Sequence, residues 1–257
     1  MHYYILNATQ ERRERLEKHL KEREFFDNFI VHWVTEFPKD DPYVEWIHDF
    51  HAEHVSNGAL SGFVKLCEIF EMGLKTGDSH FMISDDDVVF IKDWKKHLDN
   101  LNLGFINIIS LGVNFHVLPE GITKFTGNVG GMECIIVSKE FATFFLNNID
   151  FKQAADIVIS AMMVHHNVPL CVTPICQQTS FLENKSSLDH SSTKYEKDWI
   201  TFVKTYRPTG LTYQQMKNDF TVYSQMRDVV ENDFEKCFGI RIPIYNKSYI
   251  IERLRAL

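Results

Sequence analysis

The chain has 257 residues, of which 44% are hydrophobic and 24% are charged, and its formal net charge is −8 at pH 7. This composition supports one packed globular domain with room for an appendage, and the acidic balance argues against a surface built mainly to hold nucleic acid. No apolar run approaches the roughly 18 residues that span a membrane, and the first residues lack the charged and apolar regions of a secretion signal. We therefore expect a cytoplasmic protein with reduced cysteines.

The beginning of the chain predicts a strand, a polar turn and a helix. Residues 2–6 are apolar and end at Asn7, and Thr9 is the expected N-cap of a charged helix that runs to about residue 23. A second strand is predicted over residues 29–34. A strand followed by a helix and another strand is typical of α/β proteins.

The middle of the chain continues this alternation. Residues 58–61 predict a turn that leads into a helix over residues 62–74, where apolar side chains recur at helical spacing. Later strands are predicted over residues 105–111, 134–137 and 168–172. We expect an α/β fold in which helices cover both faces of a mainly parallel sheet.

Near residue 195 the sequence changes to charged segments with spaced aromatic residues and no clear strand pattern. We therefore predict an α/β domain over residues 1–194 and a helical C-terminal extension over residues 195–257.

Three consecutive carboxylates form the strongest chemical signal. Asp85, Asp86 and Asp87 lie between the apolar runs 81–83 and 88–90. Crowded carboxylates repel one another unless a cation or a basic group lies nearby, and carboxylate oxygens are the ligands that Mg²⁺ and Mn²⁺ prefer. Apolar residues on both sides place the acids at the end of a buried strand, where open α/β proteins bind ligands. The alternative is a solvated turn at a strand end.

Several segments share their order with a known family. They are residues 4–7 with Arg12 and Arg13, residues 58–61, residues 83–90 with Trp94, residues 108–112, residues 130–139, and Asp156 followed by Pro174, Gln177 and Ser180. In this order they resemble glycosyltransferase family 25, which contains lipooligosaccharide and collagen-type sugar transferases of the GT-A fold. The chain departs from the family pattern at Ala8, Gly62 and Asp85.

The resemblance implies a metal and donor site at the acidic triplet. It makes Asp87 a metal ligand and Asp85 a contact to both the metal and the donor. Asp86 either contacts the donor or points into the fold. His190 is the candidate third metal ligand, because such domains often supply one late in the chain, and a solvated histidine is the alternative.

The resemblance also implies residues for the nucleotide and the acceptor. Asn7, Arg13 and Ser61 are candidates for binding the nucleotide, with Arg13 contacting phosphate, although an arginine on a charged helix can also simply face solvent. Asp156 is the candidate general base or acceptor ligand. Its alternative role is the N-cap of a helix that begins at residue 157.

These observations predict a metal-dependent glycosyltransferase. It would use Mn²⁺ or Mg²⁺ to transfer a sugar from a nucleoside-diphosphate sugar, with UDP-sugars as the first choice, to a hydroxyl group on a glycan, a protein or a modified nucleic-acid base. One alternative is a haloacid-dehalogenase-like phosphotransferase with Asp85 as nucleophile and Asp87 as acid/base. Another is a non-catalytic module that binds a divalent ion or a nucleotide-sugar.

Overall fold

The computed structural model describes residues 1–112, 121–123, 133–179 and 201–238. It divides into two compact units, Met1–Gly210 and Leu211–Leu257. The domain boundary predicted after residue 194 falls outside the described residues and stays a prediction. No helix in the described ranges is both long and apolar enough to cross a bilayer.

The first unit contains a sheet and several helices in its described part. Its strands are β1 (His2–Leu6), β2 (Ile30–Val34), β3 (His80–Asp85), β4 (Val88–Phe90), β5 (Ile108–Gly112), β6 (Gly121–Thr123), β7 (Cys134–Ser138) and β8 (Leu170–Gln178). Its helices are α1 (Gln10–Glu22), α2 (Pro42–His51), α3 (Asn57–Leu74), α4 (Trp94–Asp99), α5 (Lys139–Leu146) and α6 (Ala155–His166). The described part of the second unit is one long helix, α7 (Tyr213–Phe238).

The sheet has the order β2-β1-β3-β7-β5-β8-β4, and β6 pairs with β8. Strands β1, β2 and β3 are mutually parallel, β5 and β8 are parallel, and β7 is antiparallel to both of its neighbours, β3 and β5. Five of the described strands therefore run in one direction, namely β1, β2, β3, β5 and β8. The predicted α/β class with a mainly parallel sheet is confirmed.

Helices cover both faces of this sheet. Successive side chains of a strand point to opposite sides, so neighbouring apolar residues of β1 pack against different layers. On one face, Tyr3 belongs to a buried cluster that includes Leu16 of α1. On the other face, the ring of Tyr4 contacts Phe81, and Phe81 in turn contacts Phe70 of α3. The three central residues of the N-terminal strand are therefore buried between two layers of helices, which fixes the position of the turn that follows the strand.

Two helices begin where side chains cap their first turns. Thr9 accepts a hydrogen bond from the Arg12 backbone N–H at 3.3 Å, so the predicted start of α1 is confirmed. The predicted turn over residues 58–61 is wrong, since Ser56 caps the Ala59 N–H and α3 begins at Asn57. Ser61 consequently lies inside a helix.

Strand β8 is longer than its predicted range of 168–172. It continues through Pro174 because its pairing with β5 is irregular there: the regular register ends at Val172 and resumes with Cys176 opposite Gly112. Proline has no backbone N–H to contribute to a ladder, and it is tolerated where a bulge interrupts the pairing. The extension carries Gln178 to the edge of the sheet where the acidic triplet lies.

Two glycines of α3 predict opposite effects of an added methyl group. A Cβ at Gly73 would lie 2.5 Å from the ring of Phe81, whereas a Cβ at Gly62 would have nothing within 4 Å. We expect Gly73→Ala to destabilise the protein by about 1–3 kcal/mol through overpacking, and Gly62→Ala to stabilise it by up to about 1 kcal/mol through helix propensity. Urea unfolding of both variants measures this contrast, and equal effects would contradict the packing of α3 on β3.

Candidate functional site

The acidic triplet lies at one edge of the sheet for a reason of topology. Strand β3 ends at Asp85, and the chain turns through Asp86 and Asp87 into β4. Because β7 is antiparallel to β3, its first residues lie at the same edge as the last residues of β3. The Asp85 N–H donates a hydrogen bond of 3.0 Å to the carbonyl of Glu133, the residue just before β7. A fourth carboxylate therefore joins the edge.

The middle carboxylate of the triplet is fully used by contacts within the protein. Asp86 is 2% exposed, and its Oδ2 accepts hydrogen bonds from the Asn7 side-chain amide at 2.9 Å and from the Ala8 backbone N–H at 2.6 Å. Its Oδ1 lies 3.2 Å from the Arg12 guanidinium. These contacts tie the turn after β1 to the end of β3. The predicted roles of Asn7 and Asp86 in donor binding stay predictions.

A buried lysine supports the same turn from the other side. Lys65 of α3 donates a hydrogen bond of 3.0 Å to the Asn7 carbonyl. Burial lowers the pKa of Lys65, while the carboxylates of Asp86 and Glu36 act in the opposite direction. This cation lies among apolar helix residues, and the sequence analysis did not identify it.

The first carboxylate of the triplet is oriented by an amide. The side-chain amide of Gln178, at the end of β8, donates to Asp85 Oδ2 at 2.8 Å. Burial raises the pKa of Asp85 well above its usual range, and nearby carboxylates raise it further, namely those of Asp87, Asp86, Glu133 and Asp156. A positive charge near Asp85 would relieve this repulsion.

The remaining two carboxylates are buried with oxygens that lack partners in the described structure. Asp87 is 5% exposed, its Oδ1 accepts no hydrogen bond, and its Oδ2 lies 3.8 Å from the Arg12 guanidinium. Glu133 is 2% exposed, and neither of its carboxyl oxygens has a hydrogen-bond partner. Burial, together with the charge of Asp87, raises the pKa of Glu133 to about 8. Buried polar atoms are nearly always satisfied in native proteins, so these oxygens indicate a missing partner.

The Glu133 carboxyl occupies space that only a glycine leaves open. A Cβ built on Gly112, the last residue of β5, would lie 1.7 Å from Glu133 Oε2. Any larger residue at position 112 would therefore displace the Glu133 side chain. An acid directly before an apolar strand was the sequence signal for Glu133, but the same pattern fits any strand that starts at the surface.

Asp156 belongs to the same electrostatic environment. It lies in the first turn of α6, where its Oδ1 accepts from the Ile157 N–H at 2.9 Å, and its charge contributes to the raised pKa of Asp85. The alternative role of Asp156 as the helix N-cap is wrong, since Ala154 occupies that position. The structure thus brings the late acid near the triplet, across about 70 residues of sequence.

Of the two other predicted site residues, Arg13 lines a separate cavity of about 510 Å³, and Ser61 bonds to one of its lining residues. Arg13 lines this cavity and places its guanidinium 5.1 Å from the centre of the Trp33 ring. Ser61 donates a hydrogen bond of 2.6 Å to the carbonyl of Phe37, which also lines the cavity. The cavity adjoins the end of β2, which is parallel to β1 and β3. His190 lies outside the described residues.

The donor set at the edge of the sheet fits a hard divalent cation. Asp87 and Glu133 present buried carboxylate oxygens without partners, and Asp85 supplies a third carboxylate nearby. No group of three or more His, Cys, Asp or Glu side chains is positioned as a complete metal site within the described ranges. Mg²⁺ and similar ions are commonly held by one or two carboxylates, with phosphate oxygens and water as the other ligands.

The raised pKa of Glu133 predicts a pH-dependent stability of the metal-free protein. Between the ordinary pKa of about 4.5 and the folded value of about 8, the folded state binds more protons than the unfolded state. The contribution of Glu133 to the free energy of unfolding is therefore fully present below pH 4.5, and it is lost as the pH rises toward 8. Since each pKa unit corresponds to about 1.4 kcal/mol, the loss is on the order of a few kcal/mol.

Urea unfolding in a chelator at pH 5 and at pH 8 measures this loss. Glu133→Gln has no proton to lose at this position, so we expect its stability to change less than that of the parent between the two pH values. Equal changes in the parent and the variant would contradict the assignment.

Comparison with known proteins gives similarities at the level of solved structures. No family model matches the chain, and no curated protein matches it. A Drosophila β-1,4-galactosyltransferase 7 mutant, in complex with manganese, UDP-Gal and xylobiose, has 10% identity and a TM-score of 0.41 over 76% of this chain and 78% of its own.

Two further solved structures are similar to the same degree. A glycosyltransferase involved in glycosylation of the major capsid of PBCV-1 has 7% identity and a TM-score of 0.42, covering 77% of this chain and 97% of its own. The inositol-1-phosphate CTP transferase from T. maritima has 12% identity and a TM-score of 0.41, covering 79% and 96%. At these identities and TM-scores the similarities identify neither a family nor a substrate.

Proposed function

We propose that the protein is a metal-dependent glycosyltransferase of the GT-A type that uses a nucleoside-diphosphate sugar, with UDP-sugars as the first choice. The observation that carries this proposal is the buried Asp87 Oδ1, which has no hydrogen-bond partner in the described structure and follows Asp85 at the edge where β3 ends. The resemblance of the acidic strand and its neighbours to glycosyltransferase family 25 agrees with this function.

The acids at the sheet edge have different tasks in this proposal. A bound Mn²⁺ or Mg²⁺ would supply positive charge against the diphosphate leaving group, which lowers the barrier to its departure. Asp87 would hold the cation with its unpartnered oxygen. Asp85, oriented by Gln178, would contact the cation and the donor. Asp86 would hold the turn after β1 in place for the nucleotide.

The acceptor hydroxyl would approach from the side of Asp156. In an inverting transfer, a carboxylate within hydrogen-bond reach of the hydroxyl removes its proton as the new bond forms. The charge of Asp156 contributes to the raised pKa of Asp85, and this supports a role for Asp156 close to the carboxylates proposed for the metal and the donor. The acceptor class is a hydroxylated glycan, protein or modified nucleic-acid base.

The cavity beside β2 is the proposed location of the nucleoside. Its wall contains Trp33, whose ring can stack on a base, and Arg13, whose cation lies over that ring. The cavity also connects to the acidic edge through hydrogen bonds, because the Asn7 N–H donates to the carbonyl of Val34, another lining residue, and the Asn7 side chain donates to Asp86.

A thermal-shift panel tests this function. UDP-, GDP-, CMP- and ADP-sugars are each added with and without Mn²⁺, and one nucleotide class is expected to stabilise the protein only when the metal is present. At about 100 times the Kd, binding contributes about 2.7 kcal/mol, which corresponds to roughly 5–10 °C for a protein of this size.

The same panel separates the phosphotransferase alternative. Stabilisation by vanadate or fluoroberyllate with Mg²⁺, combined with no response to any nucleotide-sugar, would overturn the proposal and favour phosphoryl transfer through Asp85. Metal-dependent binding of a nucleotide-sugar without transfer to any hydroxylated acceptor would indicate the non-catalytic module.

A further inference from the structure

We propose that Glu133 is a cation-binding carboxylate that faces Asp87 across the edge of the sheet, so that the divalent ion is held between two strand ends and not by the acidic triplet alone. This inference rests on the proposed function for the identity of the ion, Mn²⁺ or Mg²⁺. It concerns a residue outside the triplet, supplied by the strand that runs against its neighbours.

The first support is the state of the carboxyl oxygens. Glu133 is buried, with 2% of its surface exposed, and both of its carboxyl oxygens lack hydrogen-bond partners among the described residues. Asp87 adds a third such oxygen, and the charge of Asp87 acts on Glu133. A buried polar atom without a partner loses its hydrogen bonds to water and gains none in return, which destabilises the fold. A cation between these two residues satisfies all three oxygens at once.

Protonation of Glu133 does not satisfy the carboxyl group. A neutral carboxylic acid has an O–H donor that also needs an acceptor, and the described structure provides no hydrogen-bond partner for either oxygen. An acid with only a packing role would be expected to bond to a nearby backbone group, as Asp86 does with the Ala8 N–H. Neither carboxyl oxygen of Glu133 makes such a bond within the described residues.

The second support is the space made for the carboxyl group. Gly112 ends β5 at a bulge, and its missing side chain leaves the position that Glu133 Oε2 occupies. A glycine in a strand weakens the strand and commonly marks a close approach by another group. Here the approaching group is the acid itself, so the bulge and the glycine together direct Glu133 toward the edge that carries Asp87.

The third support is that Asp86 and Asp85, unlike Asp87 and Glu133, accept side-chain hydrogen bonds from other residues. Asp86 has its oxygens occupied by Asn7, Ala8 and Arg12, and Asp85 is oriented by Gln178. A divalent ion of this class commonly uses one or two protein carboxylates and completes its shell with phosphate oxygens and water. Asp87 and Glu133 meet that requirement, and Asp85 remains able to contact both the cation and the donor.

Titration of Mn²⁺ followed by electron paramagnetic resonance of the free ion tests the inference without an activity assay. The experiment compares three proteins with and without UDP: the parent, Glu133→Gln and Glu140→Gln. The last is the matched control, because it removes an exposed acid on α5. We expect Glu133→Gln to weaken Mn²⁺ binding at least tenfold and Glu140→Gln to leave it unchanged. Glu133→Asp, which keeps the charge but withdraws it by one methylene, should also weaken binding, and it serves if the amide variant folds poorly.

The outcomes separate this inference from the proposed function. Parent affinity in a folded Glu133→Gln, together with lost affinity in Asp87→Asn, would overturn the role of Glu133 and leave the proposed function in place. A parent protein that binds neither Mn²⁺ nor UDP would overturn both. Weakened Mn²⁺ binding in Gly112→Ala, which displaces the Glu133 carboxyl, would agree with the inference.

Discussion

Asp87→Asn is expected to abolish metal-dependent sugar transfer while the melting temperature stays equal to or above that of the parent. The substitution removes a negative charge from a crowded group of acids, so it relieves repulsion in the metal-free fold. It also removes the charged oxygen that we propose as a cation ligand. A metal ion contributes several kcal/mol to charge stabilisation in a transition state, so the rate should fall at least about 100-fold.

Initial rates at saturating donor and Mn²⁺ measure this loss, with the melting temperature recorded on the same preparations. Asp93→Asn is the matched control, because it replaces an acid whose side chain is 64% exposed. We expect the control to retain parent activity. An Asp87→Asn variant as active as the parent would contradict the role of the triplet in catalysis.

Asp86→Ala, in contrast to Asp87→Asn, is expected to lower the free energy of unfolding by a large amount. It leaves the Asn7 amide, the Ala8 N–H and the Arg12 guanidinium without the buried oxygens that accept from them. Removing one partner of a buried, hydrogen-bonded ion pair costs about 3–5 kcal/mol, which lowers the melting temperature of a protein of this size by roughly 10 °C.

Urea unfolding monitored by circular dichroism measures this change. Asp85→Ala is the comparison within the same turn, because Asp85 accepts a side-chain hydrogen bond from Gln178 and has a raised pKa. We expect it to cost less stability than Asp86→Ala. Equal losses would mean that the hydrogen bonds of Asp86 do not hold the β1 turn to the end of β3.

The sequence predicted the elements whose signals are local. The N-cap Thr9 and the apolar runs of β1 and β3 depend on neighbours within a few residues, and the structure places them as predicted. The predicted start of α3 and the predicted length of β8 were wrong, because each depends on a feature that the spacing of apolar residues does not encode. A cap at Ser56 starts the helix early, and a bulge lets the strand pass through Pro174.

The site was predictable only where it coincides with a contiguous motif. Three adjacent acids between apolar runs identify Asp85, Asp86 and Asp87 as a group. Their individual contacts depend on which strands adjoin β3, and no local pattern encodes that information. Glu133 and Gln178 reach the site through β7 and β8. The direction of β7 in particular follows from long-range pairing, so the acid before its first residue could not be distinguished from an acid at the start of any surface strand.

The pairing that builds this edge also dictates when it can exist during folding. The bond between Asn7 and Asp86 joins residues 79 positions apart, and the bond between Asp85 and Gln178 joins residues 93 positions apart. Closing such loops costs chain entropy before the contacts return any free energy, so they form late. In a nascent or partly folded chain, Glu133 and the acidic triplet are therefore not yet assembled into the cation site that we propose. The divalent cation that we propose would therefore bind only folded molecules. Its presence in the growth medium or refolding buffer should slow unfolding without accelerating folding.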